Sequence, residues 1–194
     1  MERGLGDSHM YTTSDFRRGL RIEYEGQPYS ISDFQHHKPG KGAAIVRTKL
    51  KNLITGRTID PTFRSGDKVG RPDLDEREVQ FLYSDGTTYH FMDPASYEQW
   101  EIPGDILGEA TQFLVDNMMC SILFYQGKAI NIDLPNHVVL EVKTCDPAVR
   151  GDTVQGATKP ATLQTGLVVH VPLFTNEGDM VKVDTRTGEY LERA

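Results

Sequence analysis

The segment of greatest chemical interest is a lysine held between glycines in the sequence KPGKGAA. Pro39 and Gly40 precede Lys41 and Gly42 follows it, a composition typical of a tight turn, and strand-like residues continue beyond. The pattern predicts Lys41 at the tip of a hairpin, with its amine directed away from the fold. A Walker loop is excluded because GxxxxGK[ST] places a hydroxyl after the lysine, where this chain has glycine. On this pattern alone, an ordinary exposed lysine is the commoner interpretation.

A run of alternating basic residues follows this turn. Arg47, Lys49 and Lys51 alternate with Val46, Thr48 and Leu50, which predicts a strand with one basic face and one buried face. We call these three basic residues the basic stripe. Guanidinium and ammonium groups in a row suit the phosphates of a nucleic-acid backbone, and an ordinary solvated face is the alternative.

Candidates for catalysis and metal binding are few. The histidines show no zinc-ligand spacing with Cys120 and Cys145, and the two cysteines form no CxxC pair, which favours a reducing compartment. GxSxG, HExxH and glycine-rich dinucleotide motifs do not occur in the sequence. An acidic run could bind a cation or act as acid or base, but such runs are usually solvated; it comprises Asp73, Asp75, Glu76 and Glu78. We therefore predict a protein that is not an enzyme, with neither metal nor cofactor.

The charge of the chain is divided unevenly. The net charge of -7 would by itself argue against a nucleic-acid partner. Residues 11–72, however, hold 12 Lys and Arg against 6 Asp and Glu, whereas residues 73–136 hold 2 against 12. A basic first third is compatible with phosphate, and the acidic middle third is not.

Short alternating runs separated by turn residues predict the elements that position these sites. VQFLYSDGTTYHFM, ILFYQGKAINI and VKVDTRTGEYL each indicate a β-hairpin turning at a glycine. One helical stretch is predicted in GDILGEATQFLVDN, where Ile106, Ala110, Phe113 and Leu114 fall on one face. Many short strands with one helix predict an all-β architecture, and pieces of about 60 residues suit small barrels because closure removes exposed edges.

Changes in charge and composition predict the domain boundaries. We expect residues 1–10 to comprise a vector-derived leader, MERGLGDSH, and a native start at Met10. The first domain then spans 11–72, ending where the charge changes sign at Pro72. A second domain spans 73–136, and HVVLEV begins a third that spans 137–194. No stretch of about 20 apolar residues is present, so we expect a cytoplasmic protein that does not span a membrane.

Motifs along the whole chain resemble bacterial elongation factor P, a translation factor family related to the hypusine-bearing factor of eukaryotes and archaea. They include DFRRGLRI, KPGKGAA, KLKNLITG, TFRSGDKV and FLYSDGTTYHFMD. The most specific is KPATLQTGLVVHVPLFTNEG in the third segment, and VKVDTRTGEYLER closes the chain as in the family. One signature position differs, because Thr175 stands where an aliphatic residue is usual.

The resemblance implies three small β-barrels, an SH3-like (KOW-type) barrel followed by two OB-fold barrels, in an elongated shape similar to tRNA. It also implies a monomer that binds the ribosome beside peptidyl-tRNA, contacts ribosomal RNA and relieves stalling at consecutive prolines. Lys41 would reach the CCA end of peptidyl-tRNA and would be a target for covalent modification by a lysine-modifying enzyme, with Pro39, Gly40 and Gly42 positioning the loop.

Two further sites follow from the resemblance. Gly151, Asp152 and Thr153 match a loop that approaches the exit-site codon, although a polar turn is the alternative. Tyr190 and Arg193 match a pair near peptidyl-tRNA. A general RNA-binding OB-fold protein remains a second hypothesis. It would use exposed aromatic residues around Phe81, Tyr83, Tyr89 and Phe91, which lie in the acidic third and are expected to fill a core.

Overall fold

The computed structural model describes residues 10–40, 42–147 and 156–194, and most of them form antiparallel strands. Three five-stranded sheets follow one another along the chain, with one additional two-stranded pair. The all-β architecture of small barrels predicted from the sequence is confirmed. Below, first, second and third barrel denote the regions built from strands β1–β7, β8–β12 and β13–β17.

The first barrel is built around a long hairpin. Its main sheet has the strand order β2-β3-β4-β5, β6 also pairs with β4, and β1 pairs with β7. The strands are β1 (Tyr11–Thr12), β2 (Arg21–Tyr24), β3 (Gln27–His37), β4 (Ile45–Asn52), β5 (Thr58–Ile59), β6 (Thr62–Arg64) and β7 (Lys68–Val69). Alternate side chains of the long strands enter a core that includes Ile22, Ile31, Val46 and Leu50, all fully buried. Burial of these apolar side chains drives the closure of the barrel.

The second barrel has the strand order β10-β9-β8-β11-β12. Its strands are β8 (Leu74–Ser84), β9 (Thr88–Met92), β10 (Gln99–Pro103), β11 (Met119–Tyr125) and β12 (Lys128–Asp133). The predicted hairpin turns are confirmed. Gln126 and Gly127 both have positive φ, 49° and 78°, as a two-residue type I′ turn requires. Phe81 and Phe91 are buried and fill the core as expected. The expectation was wrong for Tyr83, which is exposed because a register shift after Phe81 pairs it with His90 rather than with a core residue.

The predicted helix is shorter than expected. Helix α1 covers only Gly104–Leu107, and a 3₁₀ segment covers Gly108–Gln112. Gly108 adopts φ 55° and ψ −130°, a conformation that ends the α-helix, so the 3.6-residue pattern does not continue across it. Ile106 is consequently exposed, whereas Leu107, Phe113 and Leu114 are buried. The prediction that Ile106 packs against a sheet was wrong, because it treated the whole segment as one uninterrupted helix.

The third barrel repeats the topology of the second, with the order β15-β14-β13-β16-β17. Its strands are β13 (His137–Cys145), β14 (Thr158–Leu163), β15 (Val168–Pro172), β16 (Met180–Asp184) and β17 (Tyr190–Arg193). Its core is rich in valine and also receives Phe113, the residue that follows the 3₁₀ segment. β-Branched residues pack well on a pleated, half-buried surface, which explains this composition.

Two compact units make up the chain. One comprises residues up to Asp75 together with Phe124–Asn131, and the other comprises Glu76–Leu123 together with Ile132–Ala194. In the first unit, the Tyr125 hydroxyl lies 3.4 Å from both Glu23 Oε2 and the Gly26 carbonyl oxygen. Burial, followed by the charge of Glu23, raises the pKa of this tyrosine. In the second unit, Phe113 belongs to the core of the third barrel.

Candidate nucleic-acid interface

The loop that contains the predicted key lysine closes the longest hairpin of the first barrel. β3 ends at His37 and β4 begins at Ile45, and these two residues pair directly. The hairpin predicted from the sequence is therefore confirmed. Lys41 itself lies outside the described residues. Of its neighbours, Pro39 is half-buried, while Gly40 and Gly42 are exposed.

Gly42 has a conformation that explains why glycine is needed in this loop. Its φ of +117° lies in the region that side chains rarely adopt, and a Cβ atom there would lie 3.7 Å from Pro39 Cγ. Space would permit a larger residue, so the backbone conformation is the restriction. The paired strands and this glycine hold the base of the loop at the end of the hairpin.

The basic stripe lies on β4 as predicted. Arg47, Lys49 and Lys51 are exposed, and the residues between them, Val46, Thr48 and Leu50, are buried. Arg47 pairs with Gln35 on β3 and Thr62 on β6, so polar neighbours surround it. The stripe begins two residues after the first residue of β4, which places it on the same hairpin as the Lys41 loop.

Strand register extends this basic surface beyond β4. Lys51 pairs with Ser30, and Ser30 pairs with Arg21 at the start of β2. Directly paired residues point to the same side of a sheet, and adjacent strands are about 4.8 Å apart, so Arg21 and Lys51 face the same side with backbones roughly 10 Å apart. Sequence reasoning missed the link to Arg21 because it depends on pairing between distant strands.

One acidic residue lies within this surface. Asp33 pairs with Lys49 after a register shift that follows Ile31, and it accepts hydrogen bonds from Arg18 Nε and Nη2 at 3.1 and 2.8 Å. The pKa of Asp33 is lowered below its ordinary value. The hydrogen bonds from Arg18 contribute most, followed by the hydrogen bond from the Phe34 amide and then by the charge of Lys49. Asp33 is ionised near neutral pH and partly offsets the charge of Lys49.

The third barrel carries a buried lysine next to a predicted loop site. Gly151, Asp152 and Thr153 lie outside the described residues. At the flank of that segment, Lys159 is only 6% exposed, and its Nζ donates a 2.6 Å hydrogen bond to the carbonyl oxygen of Asp146. Lys159 thus fixes the chain just after β13. The sequence TKPATL could have predicted this burial, because side chains alternate between the two faces of a strand. Thr158 and Pro160 on either side of Lys159 are exposed, so Lys159 faces the core.

The predicted C-terminal pair lies on the last strand, but its two members have different surroundings. Tyr190 is half-buried and packs against the core of the third barrel. Arg193 is exposed, and its Nη2 lies 2.8 Å from Asp179 Oδ1. Part of the charge of Arg193 is therefore balanced within the protein.

His90 is held by its neighbours within the second barrel. His90 stacks on Tyr83 with ring centroids 4.4 Å apart, and its ring nitrogens lie 3.7 and 3.9 Å from carboxylates of Asp85 and Glu101. Across residues 10–40, 42–147 and 156–194, no group of three or more metal-ligating side chains could hold an ion. Burial raises the pKa of the Cys120 thiol to about 12, which suppresses formation of the reactive thiolate. In the described part of the chain, no helix is long and apolar enough to cross a membrane.

The fold defines the class of this protein, which is built from KOW-like and OB barrels. Two solved structures share that fold over 66% of this chain. Translation initiation factor 5A of Methanococcus jannaschii matches with a TM-score of 0.55 and 23% identity over 96% of its own length. A translation initiation factor 5A family protein of Naegleria fowleri matches with a TM-score of 0.52 and 16% identity over its full length. At these identities the likeness supports the fold alone.

Three family models and close relatives identify the family. The elongation factor P KOW-like domain matches residues 12–69, the elongation factor P OB domain matches 74–132, and the elongation factor P C-terminal domain matches 138–193. Elongation factor P of Maridesulfovibrio salexigens is 55% identical, covering 95% of this chain and 99% of its own. That of Bdellovibrio bacteriovorus is 52% identical, with coverage of 95% and 98%. The chain belongs to the elongation factor P family, whose members are named as translation elongation factors.

Proposed function

We propose that this protein binds the ribosome beside peptidyl-tRNA, stimulates peptide-bond formation and relieves stalling at consecutive prolines. The observation that carries the proposal is the placement of the basic stripe and the Lys41 loop on one hairpin of a family member. The stripe supplies contacts to RNA phosphates, and the Lys41 loop closes the same hairpin. Ribosome and tRNA are the partners, and the protein acts as a cytoplasmic monomer.

The mechanism is positioning rather than acid, base or nucleophilic catalysis. Proline is a constrained secondary amine and a poor partner in peptide transfer, so a poorly oriented peptidyl-tRNA loses the proximity advantage on which the ribosome relies. A cationic side chain at position 41 contacts the backbone of the CCA end and holds a productive geometry. Pro39 restricts the backbone of the loop, so less conformational entropy is lost there when the loop binds, and Gly40 and Gly42 allow the backbone to make the turn.

Covalent extension of Lys41 fits the same mechanism. A longer cationic side chain would reach further while keeping its charge, and a lysine at the hairpin tip predicted from the sequence would be accessible to a modifying enzyme. We therefore include a lysine-modifying enzyme among the partners. Mass measurement of the protein purified from its native host, with peptide mapping across Lys41, tests this part.

The third barrel contributes a second contact. We assign Gly151, Asp152 and Thr153 to a loop that approaches the exit-site codon, and Tyr190 and Arg193 to peptidyl-tRNA. Support for the loop comes from Lys159, which fixes the chain at Asp146 on one side of this segment. The half-buried Tyr190 and the paired Arg193 make the C-terminal contact the weaker of the two.

Reconstituted translation of a proline-run reporter tests the function. We expect the properly modified wild-type protein to restore synthesis through the run. Lys41→Ala should abolish most of this rescue while weakening ribosome binding only modestly, because the rest of the interface remains. Lys41→Arg should also fail in a host that modifies lysine, since the reacting amine is absent. Lys38→Ala removes an exposed lysine from the same loop and is the matched control, which should retain rescue.

The proposed function fails if wild-type protein and buffer give equal stalling while a known active factor works. The role of Lys41 fails if Lys41→Ala rescues fully. A general RNA-binding OB-fold protein is the second candidate, because Tyr83 is 53% exposed and stacked on His90. Asp85 and Glu101 lie beside that pair and repel phosphate. Tight, salt-dependent binding to isolated single-stranded RNA that is lost in Tyr83→Ala would favour this candidate.

A further inference from the structure

A second basic feature of the first barrel is a pocket of about 290 Å³ that three arginines line. Arg17 comes from the segment before β2, Arg21 is the first residue of β2, and Arg71 follows β7. Tyr11 stands at the side, and the buried residues Leu20 and Pro72 form an apolar floor. We call this feature the arginine pocket. It is distinct from the basic stripe in its residues and in the elements that supply them.

Backbone hydrogen bonds fix the positions of the segment that carries Arg17. The Leu20 amide donates to the Arg17 carbonyl oxygen at 3.1 Å, closing a turn, and Gly19 has φ +82° within it. The Gly19 amide donates to the Ile31 carbonyl oxygen at 2.7 Å, and the Ile31 amide donates to Leu20 at 2.9 Å. The turn is therefore attached to β3 at two points.

The strand pairings bring Arg71 to the same place. Tyr11 pairs with Val69, and the Glu23 amide donates to the Gly70 carbonyl oxygen at 2.8 Å, so β1 and β2 both hold the chain just before Arg71. The long side chains can still rotate, but their Cα positions are set by the barrel. The pocket is thus preorganised at the backbone level, which lowers the entropy cost of binding.

The two basic features differ in their acidic neighbours. Around the stripe, a pocket of about 250 Å³ has Arg47 and Lys49 but also Asp33 and Asp60 among its lining residues. None of the described residues that line the arginine pocket is acidic. Within the described part of the chain, neither Arg17 nor Arg71 has an ion pair. The guanidinium groups of Arg17 and Arg71 repel each other when they approach, and an anion bound between them removes that repulsion.

We propose that the arginine pocket binds one phosphodiester group of an RNA strand that also contacts the basic stripe. This inference rests on the proposed function, which supplies an RNA partner. The guanidinium fork matches a phosphate in a bidentate manner, and the Tyr11 hydroxyl is a further donor. Arg21 connects the two features, because Arg21, Ser30 and Lys51 form one row on the outer side of the sheet.

The test is ribosome binding as a function of salt, using ribosomes that carry peptidyl-tRNA and the full chain. In Arg17→Gln/Arg71→Gln we expect affinity to fall about tenfold near 100 mM salt, because charge-assisted contacts to one phosphate are lost. The slope of log affinity against log salt should fall by about 0.7 to 0.9, the value for one phosphate rather than two. The melting temperature should not change, since both side chains are exposed.

Two matched variants separate a local contact from a general loss of charge. Arg64→Gln/Lys68→Gln removes two positive charges from exposed positions of the same barrel outside the pocket, and its slope should equal that of the wild type. Arg17→Lys/Arg71→Lys retains the charge but loses the planar fork. It should recover the wild-type slope and only part of the affinity.

The proposal is overturned if the double glutamine variant binds with wild-type affinity and slope, or if the control variant loses as much. A free anion is distinguished by titrating the isolated protein with inorganic phosphate and following the arginine Nε–H signals by NMR. The RNA assignment would be overturned if wild-type protein binds inorganic phosphate saturably, the Arg17→Gln/Arg71→Gln variant does not, and the two proteins bind ribosomes equally well. If the pocket variant loses one phosphate contact but wild-type protein relieves no stalling, the proposed function fails and the pocket assignment stands.

Discussion

The first and third barrels use their basic residues in opposite ways. In the third barrel, each of four exposed or half-exposed cations has a carboxylate at 2.8 or 2.9 Å; the pairs are Lys143–Glu141, Lys182–Glu192, Arg186–Asp184 and Arg193–Asp179. In the first barrel, the described residues show such a pair for Arg18, bound to Asp33, and none for the basic stripe.

This difference shows how net charge can mislead. The third barrel has 6 Lys and Arg against 8 Asp and Glu over residues 137–194, and its cations are largely used within the barrel. Exposed ion pairs of this kind each contribute little to stability, but they do reduce the charge available to a phosphate. The three cations of the basic stripe have no carboxylate at ion-pair distance among the described residues, so more of their charge is available to the RNA partner proposed above. Pairing within the protein, rather than the count of basic residues, therefore predicts which surface binds nucleic acid.

The largest expected effect on stability comes from the buried lysine of the third barrel. Lys159→Met should lower the free energy of unfolding by about 1.5 to 3 kcal/mol, because the hydrogen bond from a charged donor is lost and the Asp146 carbonyl oxygen is left unpaired. Urea unfolding checks this prediction. Lys143→Met, at an exposed lysine of the same barrel, is the control and should cost no more than about 1 kcal/mol. Equal losses in the two variants would contradict the structural role of Lys159.

The next largest effect is on binding through the first barrel. Replacing Arg47, Lys49 and Lys51 with glutamine should lower ribosome affinity at least about tenfold and reduce the salt slope by about 0.7 to 0.9 per phosphate contact. The free energy of unfolding should change by no more than about 0.5 kcal/mol per residue, because these side chains are exposed.

A matched triple variant in the third barrel sharpens this result. This variant replaces Lys143, Lys182 and Arg186 with glutamine and so removes as many positive charges as the stripe variant. Each of these three cations, however, already has a carboxylate partner. Ribosome affinity and slope should stay close to wild type. If both triple variants lose affinity equally, net charge and not pairing determines binding, and the comparison between the barrels is wrong.

Local patterns predicted what depends on neighbouring residues in the chain. Alternation gave the correct buried and exposed faces of β4, and the glycine turns gave the hairpins. The helix failed at Gly108, where one backbone conformation overrides the apolar spacing. The arginine pocket could not be predicted, because Arg17 and Arg71 meet only through the pairing of β1 with β7 and the contact of β2 with Gly70. Long-range pairing of this kind is not encoded in any local period.

A smaller effect should appear in the acid stability of the third barrel. Hydrogen bonds from Arg186, then from backbone amides, lower the pKa of Asp184 to about 2. Because the folded pKa lies below the unfolded value of about 3.9, the stabilisation is complete above about pH 4 and disappears as the pH falls toward 2. Asp184→Asn should lower the melting temperature by about a few degrees at pH 7, and the difference from wild type should shrink between pH 4 and 2.

Melting curves across this pH range check the prediction for Asp184. Asp116→Asn makes the same change at an exposed position and should show a smaller difference at pH 7. A difference between wild type and Asp184→Asn that stays constant from pH 7 to pH 2 would show that ionisation of Asp184 does not stabilise the barrel. The ion pair between Arg186 and Asp184 would then contribute nothing measurable to stability.

The smallest expected effect concerns Arg193, and it tests the comparison most directly. If Asp179 already balances this guanidinium, Arg193→Gln should lower ribosome affinity by less than about twofold, in contrast to the stripe. Asp179→Asn removes the opposing charge while keeping a side-chain oxygen that can accept the hydrogen bond from the Asn176 amide. This variant should raise the affinity slightly if Arg193 lies near RNA, because the released cation becomes available to phosphate. Salt titrations of both single variants and of the double variant decide between the two roles. A loss in Arg193→Gln as large as one stripe residue would show that an arginine paired within the protein still binds RNA, and pairing would then no longer explain which barrel carries the interface.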